Sequence, residues 1–318
     1  MLIASSCRQR EPLTACDGHP TLRGGARMLQ TTDDLAALLG VETATLVKLA
    51  DPARTRWRHH TVPKRSGGTR HLFEPPHALQ VVQRAIGRKI LDRYTPHDAA
   101  KAFRRGASVV DHAHQHVGQA FVYSTDLRDF FPQINIRRVR GMFLSLPGLD
   151  CSPSVAELLA RLLCWRGCLP QGAPTSPAIA NLIAYRLDLR LTNYCQRRGW
   201  TYGRYADDIT ISGRGRFTAR DQRWVEGCLA AEGFPVNPAK TDLRRQHERQ
   251  TVCGLLVNDR VRLPRQTRKQ KRATAHALTQ STDPETRTAQ AHGNLGWLKM
   301  VGNEQALVTQ FQVAVDKS

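Results

Sequence analysis

Asp207 and Asp208 are adjacent carboxylates between two apolar segments, Thr201–Tyr205 and Ile209–Ser212, that read as strands. At a tight turn the two side chains repel each other, and the repulsion is relieved by a cation between them or by protonation of one. A third carboxylate, Asp126, stands near the end of the apolar run Phe121–Leu127. If these strands are antiparallel neighbours, Asp126 comes beside Asp207. Three carboxylates at one sheet edge make an oxygen-rich site suited to Mg²⁺. Two such ions can activate an attacking hydroxyl and stabilise a leaving phosphate oxygen. The Asp-Asp dipeptide alone carries little weight, because aspartates are at home in ordinary surface turns.

The surrounding pattern must position these groups. Two short helices are expected at 33–39 and 43–50, the first opened by Thr31-Thr32-Asp33-Asp34. Trp57–Lys64 and Thr69–Glu74 read as a hairpin joined by Ser66-Gly67-Gly68. Leu79, Val82, Ile86 and Ile90 recur at helical spacing over Ala78–Tyr94. Further helices are expected at 136–145, 153–164, 175–198 and 217–232. A strand pair is expected over 251–263, turning at Asn258-Asp259, and residues 265–318 are helical in pattern. Residues 1–27 hold few large apolar side chains and read as an unstructured leader, with Met28 as an alternative start. The mixture is α+β with an antiparallel sheet rather than βαβ repeats. No Gly-rich loop follows a strand, which argues against a P-loop or dinucleotide-binding enzyme.

Composition narrows the partner. The 318 residues carry 47 Lys and Arg against 27 Asp and Glu, a formal charge of +20 that favours polyanions, nucleic acid first. No run of apolar residues is long enough to cross a bilayer, and no secretory signal opens the chain, so a cytoplasmic protein without a membrane partner is expected. The eight cysteines lie in or beside apolar segments and read as thiols, not as a disulfide framework. The spacing of Cys164 and Cys168, and of His112 and His116, is weak evidence for zinc, since neither pair has further ligands at suitable spacing.

Four segments now stand in order: the hairpin Val62–Arg70, Asp126-Leu127-Arg128-Asp129-Phe130-Phe131, Leu169-Pro170-Gln171-Gly172-Ala173-Pro174-Thr175-Ser176-Pro177, and Tyr205-Ala206-Asp207-Asp208. Together they closely resemble the motifs of reverse transcriptases, and the variant here looks most like the bacterial retron branch. The resemblance runs from about residue 30 to about residue 302. It implies a right-hand polymerase with fingers over 28–120, a palm over 121–255 and a helical thumb over 256–318.

By that resemblance Asp126 and Asp207 bind two catalytic Mg²⁺ ions, for which Mn²⁺ can substitute. Asp208 supports them, and the Leu127 carbonyl completes one metal shell. The reaction is attack of a primer hydroxyl on the α-phosphate of a dNTP, which depends on positioning and charge more than on a covalent nucleophile. Lys64, Arg65 and Arg70 are expected to grip the triphosphate, and Gln171 to touch the incoming nucleotide. Phe131 is expected to exclude a ribose 2′-OH, whereas Phe130 reads as core. Lys240 either protonates or neutralises the leaving pyrophosphate. Val109–Gly118 resembles a retron-specific segment in which Ala113 and His116 match and His112 replaces Asn; RNA contact or core packing is expected for its histidines, with His116 assigned to RNA. Thr251-Val252-Cys253 resembles a second such segment, with Cys253 in place of Thr. Arg265, Arg268, Lys269, Lys271 and Arg272 are placed along a nucleic-acid backbone, and Trp297 reads as thumb core.

The implied function is synthesis of single-stranded DNA on a dedicated structured noncoding RNA. Priming from an internal guanosine 2′-OH would give a branched RNA–DNA product. Implied partners are that RNA and its DNA product, dNTPs, a host RNase H for template trimming, and an effector or toxin protein in antiphage defence. The rival readings are a diversity-generating or abortive-infection type of reverse transcriptase, and a non-catalytic RNA-binding protein on a polymerase scaffold.

Overall fold

A computed structural model describes residues 19–63, 67–281, 283–302 and 304–316. The chain begins with β1 (Thr21–Leu22) and β2 (Arg27–Leu29), then α1 (Thr32–Leu39), α2 (Thr43–Ala50), the hairpin β3 (Arg58–Pro63) and β4 (Thr69–Glu74), α3 (His77–Lys89) and β5 (Tyr94–Thr95). Helix α1 starts at a capping box, in which the Thr31 hydroxyl accepts from the Asp34 amide and the Asp34 carboxylate accepts from the Thr31 amide. The leader expected to be unstructured over 1–27 is corrected for its described end. β1 pairs with β5, and β2 runs parallel to a later strand, β7 (Leu149–Cys151). Strands of two or three residues carry no readable period; their partners far along the chain define them.

A four-stranded antiparallel sheet forms the centre. Its members are β6 (Phe121–Asp126), β8 (Trp200–Tyr205), β9 (Asp208–Gly213) and β10 (Asp242–Arg245), in the spatial order β10-β6-β9-β8. β10 has no apolar run to announce it, and it joins the edge by pairing Leu243 with Tyr123. Helices α5 (Ile136–Ser145), α6 (Pro153–Leu163), α7 (Ser176–Ile183), α8 (Tyr185–Gln196) and α9 (Ala219–Ala231) supply most of the remaining core. α4 (Val109–His114) lies across β8.

The single helix expected over 175–198 is two helices that meet at Ala184, where φ is −79° and ψ −1°. Across this junction Asn181 of α7 and Asp188 of α8 both reach Arg204 on β8. A second correction concerns the late hairpin. β11 (Thr251–Val252) and β12 (Leu255–Leu256) turn at Cys253-Gly254, both with positive φ, rather than at Asn258-Asp259. Two left-handed residues match the twist of a tight hairpin. The Asn258 side chain instead ties the flanking loop, accepting from the Gln250 amide and donating to the Gln246 and Glu248 carbonyls.

α10 (Arg265–Thr279), α11 (Pro284–Val301) and α12 (Gln305–Asp316) close the chain. Leu278, Leu295, Leu298, Leu307 and Phe311 form a second core with Val110 and Val122, so the C-terminal bundle is anchored on α4 and the central sheet. Among the described residues no helix is long and apolar enough to cross a membrane.

Candidate active site

The pairing of β6 with β9 sets Asp126 directly opposite Asp208, and β8 sets Tyr205 on the other side of the same residue. Ala206 and Asp207 form the two-residue turn between β8 and β9. Ala206 takes a φ of +59°, a conformation costing an L-residue about 1–2 kcal/mol. The Leu127 amide donates to the Asp207 carbonyl at 2.9 Å, so the end of β6 is tied to the turn. From the other side the Asn237 amide donates to the Asp126 carbonyl at 2.8 Å. Antiparallel register alone therefore gathers Asp126, Asp207 and Asp208 at one end of the sheet.

The charge at this end is excessive for what surrounds it. Burial, and then repulsion by Asp126, raises the Asp207 carboxyl above its ordinary value, with Lys240 and Arg70 acting in the opposite direction. Loss of hydration in the cleft, followed by repulsion from Asp207 and Asp126, pushes Asp208 up to about 6. Lys240 donates from Nζ to Asp126 Oδ2 at 2.8 Å, and this bond raises the ammonium's own pKa. A single lysine does not neutralise three carboxylates.

All the donors here are hard oxygens, which suits a divalent cation of the same kind. Among the described residues no three acidic, histidine or cysteine side chains close into a cage. A cation held here would keep water or substrate oxygens in its shell rather than being enclosed by protein. A cleft of about 650 Å³ opens against Asp126, Asp208 and Lys240, with Ser124, Thr210, Thr241, Thr251 and Cys253 also on its walls. The Cys253 thiol lies 3.8 Å from Asp208 Oδ2, and burial followed by that carboxylate's charge raises its pKa.

The other expected site residues divide. Arg70 is exposed on β4, within electrostatic reach of Asp207. Lys64 and Arg65 lie outside the described residues. Gln171 pins the hairpin to the site, accepting from the Phe73 amide at 2.7 Å through its backbone carbonyl. Gly172, with φ +117°, sits where a Cβ would come within 3.0 Å of the Phe73 carbonyl oxygen, so a side chain would force this contact apart. Phe131 is half-buried between the rings of Phe103 and Phe130, and Phe130 is core at 3% exposure.

His116 is a correction. It is fully buried, with Nδ1 hydrogen-bonded to Ser212 Oγ at 2.7 Å, and so it cannot touch RNA in this fold. His112 lies beside it, near Thr210 and Tyr205. Gly203 makes room for both rings, because a Cβ there would stand 2.8 Å from His112 and 3.2 Å from His116. On α10, Arg265, Lys269 and Arg272 are exposed and Arg268 is half-buried. Lys271 instead turns inward to Asn294 and over the Trp297 ring, 5.0 Å from its centroid. Trp297 packs against the second core.

Sequence reasoning missed Arg204. This residue is wholly buried and pairs through two nitrogens with Asp188, at 2.8 and 2.6 Å. Asp188 also accepts from the Tyr202 hydroxyl at 2.7 Å. Arg204 Nη1 donates to the Ala206 carbonyl at 3.1 Å and so holds the strained residue of the turn. The available signal was an arginine inside a strand with apolar neighbours on both faces, two residues before the turn.

Comparison with known proteins fits this geometry. Residues 62–257 match the family model for reverse transcriptase (RNA-dependent DNA polymerase). The retron Mx65 reverse transcriptase of Myxococcus xanthus is 36% identical over 89% of this chain and 71% of its own length. The retron Ec86 reverse transcriptase of Escherichia coli is 29% identical over 87% of this chain and 85% of its own. The retron Mx162 reverse transcriptase of Myxococcus xanthus is 34% identical over 79% of this chain and 59% of its own.

Proposed function

Because this chain belongs to the retron-type reverse transcriptases, RNA-directed DNA polymerases, we propose that it copies a structured noncoding RNA into single-stranded DNA, primed from an internal guanosine 2′-OH of that RNA. The observation that carries the site assignment is the register of β6 on β9, which sets Asp126 opposite Asp208 at the Ala206-Asp207 turn, with Lys240 bonded to Asp126. The central sheet acts as the palm, the β3–β4 hairpin with its supporting helices as the fingers, and α10–α12 as the thumb.

Asp126 and Asp207, with the Leu127 carbonyl and with Asp208 in support, would hold two Mg²⁺ ions, or Mn²⁺ in their place. Such ions lower the pKa of the attacking hydroxyl and stabilise charge on the leaving oxygen. The protein's own groups orient the reactants. Arg70, together with Lys64 and Arg65, draws the triphosphate towards the turn, where a bidentate guanidinium matches phosphate geometry. Gln171 and the close approach at Gly172 shape the nucleotide's seat. Phe131 stands where a ribose 2′-OH would otherwise fit. Lys240 supplies positive charge, or a proton, as pyrophosphate departs. Host RNase H trimming of the template, an effector protein and a role in antiphage defence complete the proposal.

The test is to sequence nucleic acid that copurifies with the wild type and with Asp207→Asn, with and without debranching enzyme, after coexpression with the cognate noncoding RNA. The proposal expects a short DNA joined to one RNA by a 2′–5′ linkage in the wild type only. Linear DNA copied from varied RNAs would remove the priming claim and favour another reverse transcriptase type. DNA on neither protein would favour a binding scaffold.

A further inference from the structure

The β8–β9 hairpin has a second charged end. Trp200 opens β8 and pairs with Gly213, which closes β9, so this end lies roughly 17 Å along the strand from the Ala206-Asp207 turn. Five exposed arginines are carried on the segments that meet here: Arg197 after α8, Arg214 and Arg216 in the loop after β9, and Arg220 and Arg223 on α9. The Trp200 indole donates to the Arg214 carbonyl at 3.3 Å, and Trp224 of α9 stacks on Tyr194 of α8, which bind these segments together. Several arginines elsewhere share an acid: Arg186 and Arg190 take Glu232, and Arg140 and Arg161 take Glu157. The five named here have no carboxylate within ion-pair distance among the described residues. The two acids of this stretch are engaged elsewhere than with these five. Asp221 caps α9 through Thr218 and takes a bond from Tyr194, and Glu226 receives one from Gln222.

The floor of the patch is a prebuilt stack. The Arg198 guanidinium lies 3.8 Å from the centre of the Tyr194 ring. Trp224 covers Tyr194 with a centroid distance of 3.6 Å and an interplanar angle of 7°. Arg198 is held by Asp221 at 3.3 Å. Trp224 remains 40% exposed although one of its faces is spent on Tyr194. An exposed, rigid indole face among unpaired guanidinium groups suits a flexible polyanion with flat rings: the bases stack, and the phosphates take bidentate bonds. A lipid surface offers the charge without the rings, and an acidic protein segment offers neither the spacing of phosphates nor bases.

We propose that this arginine–tryptophan patch is a second RNA-binding surface, which holds a stem with an unpaired base belonging to the chain's own template RNA, outside the catalytic cleft. The proposal rests on the reverse transcriptase reading for the identity of that RNA. The test measures binding of a labelled RNA hairpin with an unpaired loop, at several salt concentrations, to protein already saturated with a short template–primer. Arg214→Gln, Arg216→Gln, Arg220→Gln and Arg223→Gln combined should weaken hairpin binding about 10–100-fold and lower the salt slope by about 2–4. Extension of the short template–primer, which reads the polymerase assignment separately, should stay within about twofold of the wild type because the patch is far from the turn. Trp224→Ala should weaken the looped hairpin by about fivefold or more and leave a fully paired duplex unchanged. Unchanged hairpin affinity and slope in the quadruple variant would overturn the proposal. So would an equal loss for heparin or anionic vesicles, which would mark the patch as a general polyanion surface. Loss of extension with the same variant would place these arginines in the catalytic pathway and overturn it as well.

Discussion

The two ends of the β8–β9 hairpin carry opposite unbalanced charge, and its middle carries balanced charge. At the turn, Asp207 and Asp208 stand with Asp126, and burial and mutual repulsion raise the pKa of both turn carboxylates. At the open end, Arg214 and Arg216 are exposed without acidic partners among the described residues. Between them Arg204 is fully buried and fully paired with Asp188. Burial opposes the charged guanidinium, yet Asp188 outweighs it and keeps its pKa above the ordinary value. The contrast separates charge that builds the fold from charge kept available for something outside the chain. A protein that only needed a stable hairpin would have no reason to leave either end uncompensated.

The catalytic end gives the largest expected effect. Asp207→Asn removes a charge from the proposed metal pair, worth several kcal/mol in the transition state, so dNTP incorporation should fall about 10³-fold or more. RNA affinity, measured by anisotropy, should change little. Persistent synthesis would shift the chemistry away from this turn. The middle of the hairpin comes next. Arg204→Met leaves Asp188 buried without its partner, a loss of about 3–5 kcal/mol readable by denaturant unfolding. Adding Asp188→Leu should restore part of that stability, but not the bond to the Ala206 carbonyl. The double variant should then keep a reduced kcat with KM for dNTP little changed. Recovery of kcat together with stability would reduce Arg204 to a fold element.

Much of this site was legible in the sequence. Asp126, Asp207 and Asp208 were singled out by the motifs around them, and strand register then decides their neighbours. Helices α5 and α6 were visible from apolar period and from caps such as Ser152 before Pro153. The Arg204–Asp188 pair was not visible, since a buried ion pair looks like two surface charges until the partner elements are docked. His116 misled for the same reason: its position in the motif suggested an RNA contact, whereas packing under Gly203 buries it. β10 was missed because Asp-Leu-Arg-Arg becomes a strand only through pairing with β6.

The histidines beneath the hairpin give a smaller, pH-dependent effect. Burial, then the nearby positive charges of Lys101 and Arg204, lowers His112 to about 4. Burial, then His112, holds His116 well below its ordinary value. The unfolded values are about 6.5, so between pH 6.5 and 4 the unfolded chain binds more protons than the folded one. Stability from these groups is therefore complete above about pH 6.5 and falls with acidification, by up to about 1.4 kcal/mol per pH unit for each histidine. Unfolding midpoints measured from pH 7.5 to 4.5 should show this slope, and His112→Asn should flatten it. An unchanged slope in that variant would assign the acid sensitivity to other groups.

Cys253 offers the finest test of what the turn end requires. It occupies the first position of the Cys253-Gly254 turn with φ +47°, and its thiol contacts Asp208 at 3.8 Å. Thiols are weak donors, so the bond contributes little, whereas the left-handed backbone carries strain for most side chains. Asn is well suited to that conformation before Gly. Cys253→Asn should therefore stabilise the hairpin by about 0.5 kcal/mol and leave incorporation within about twofold. Threonine at the same position, being β-branched, should do the reverse and lower stability by about 1 kcal/mol. If Cys253→Asn instead cut incorporation tenfold with the fold intact, the thiol would be a working part of the carboxylate cluster. The charge imbalance at the turn would then extend to the late hairpin rather than ending at Asp208.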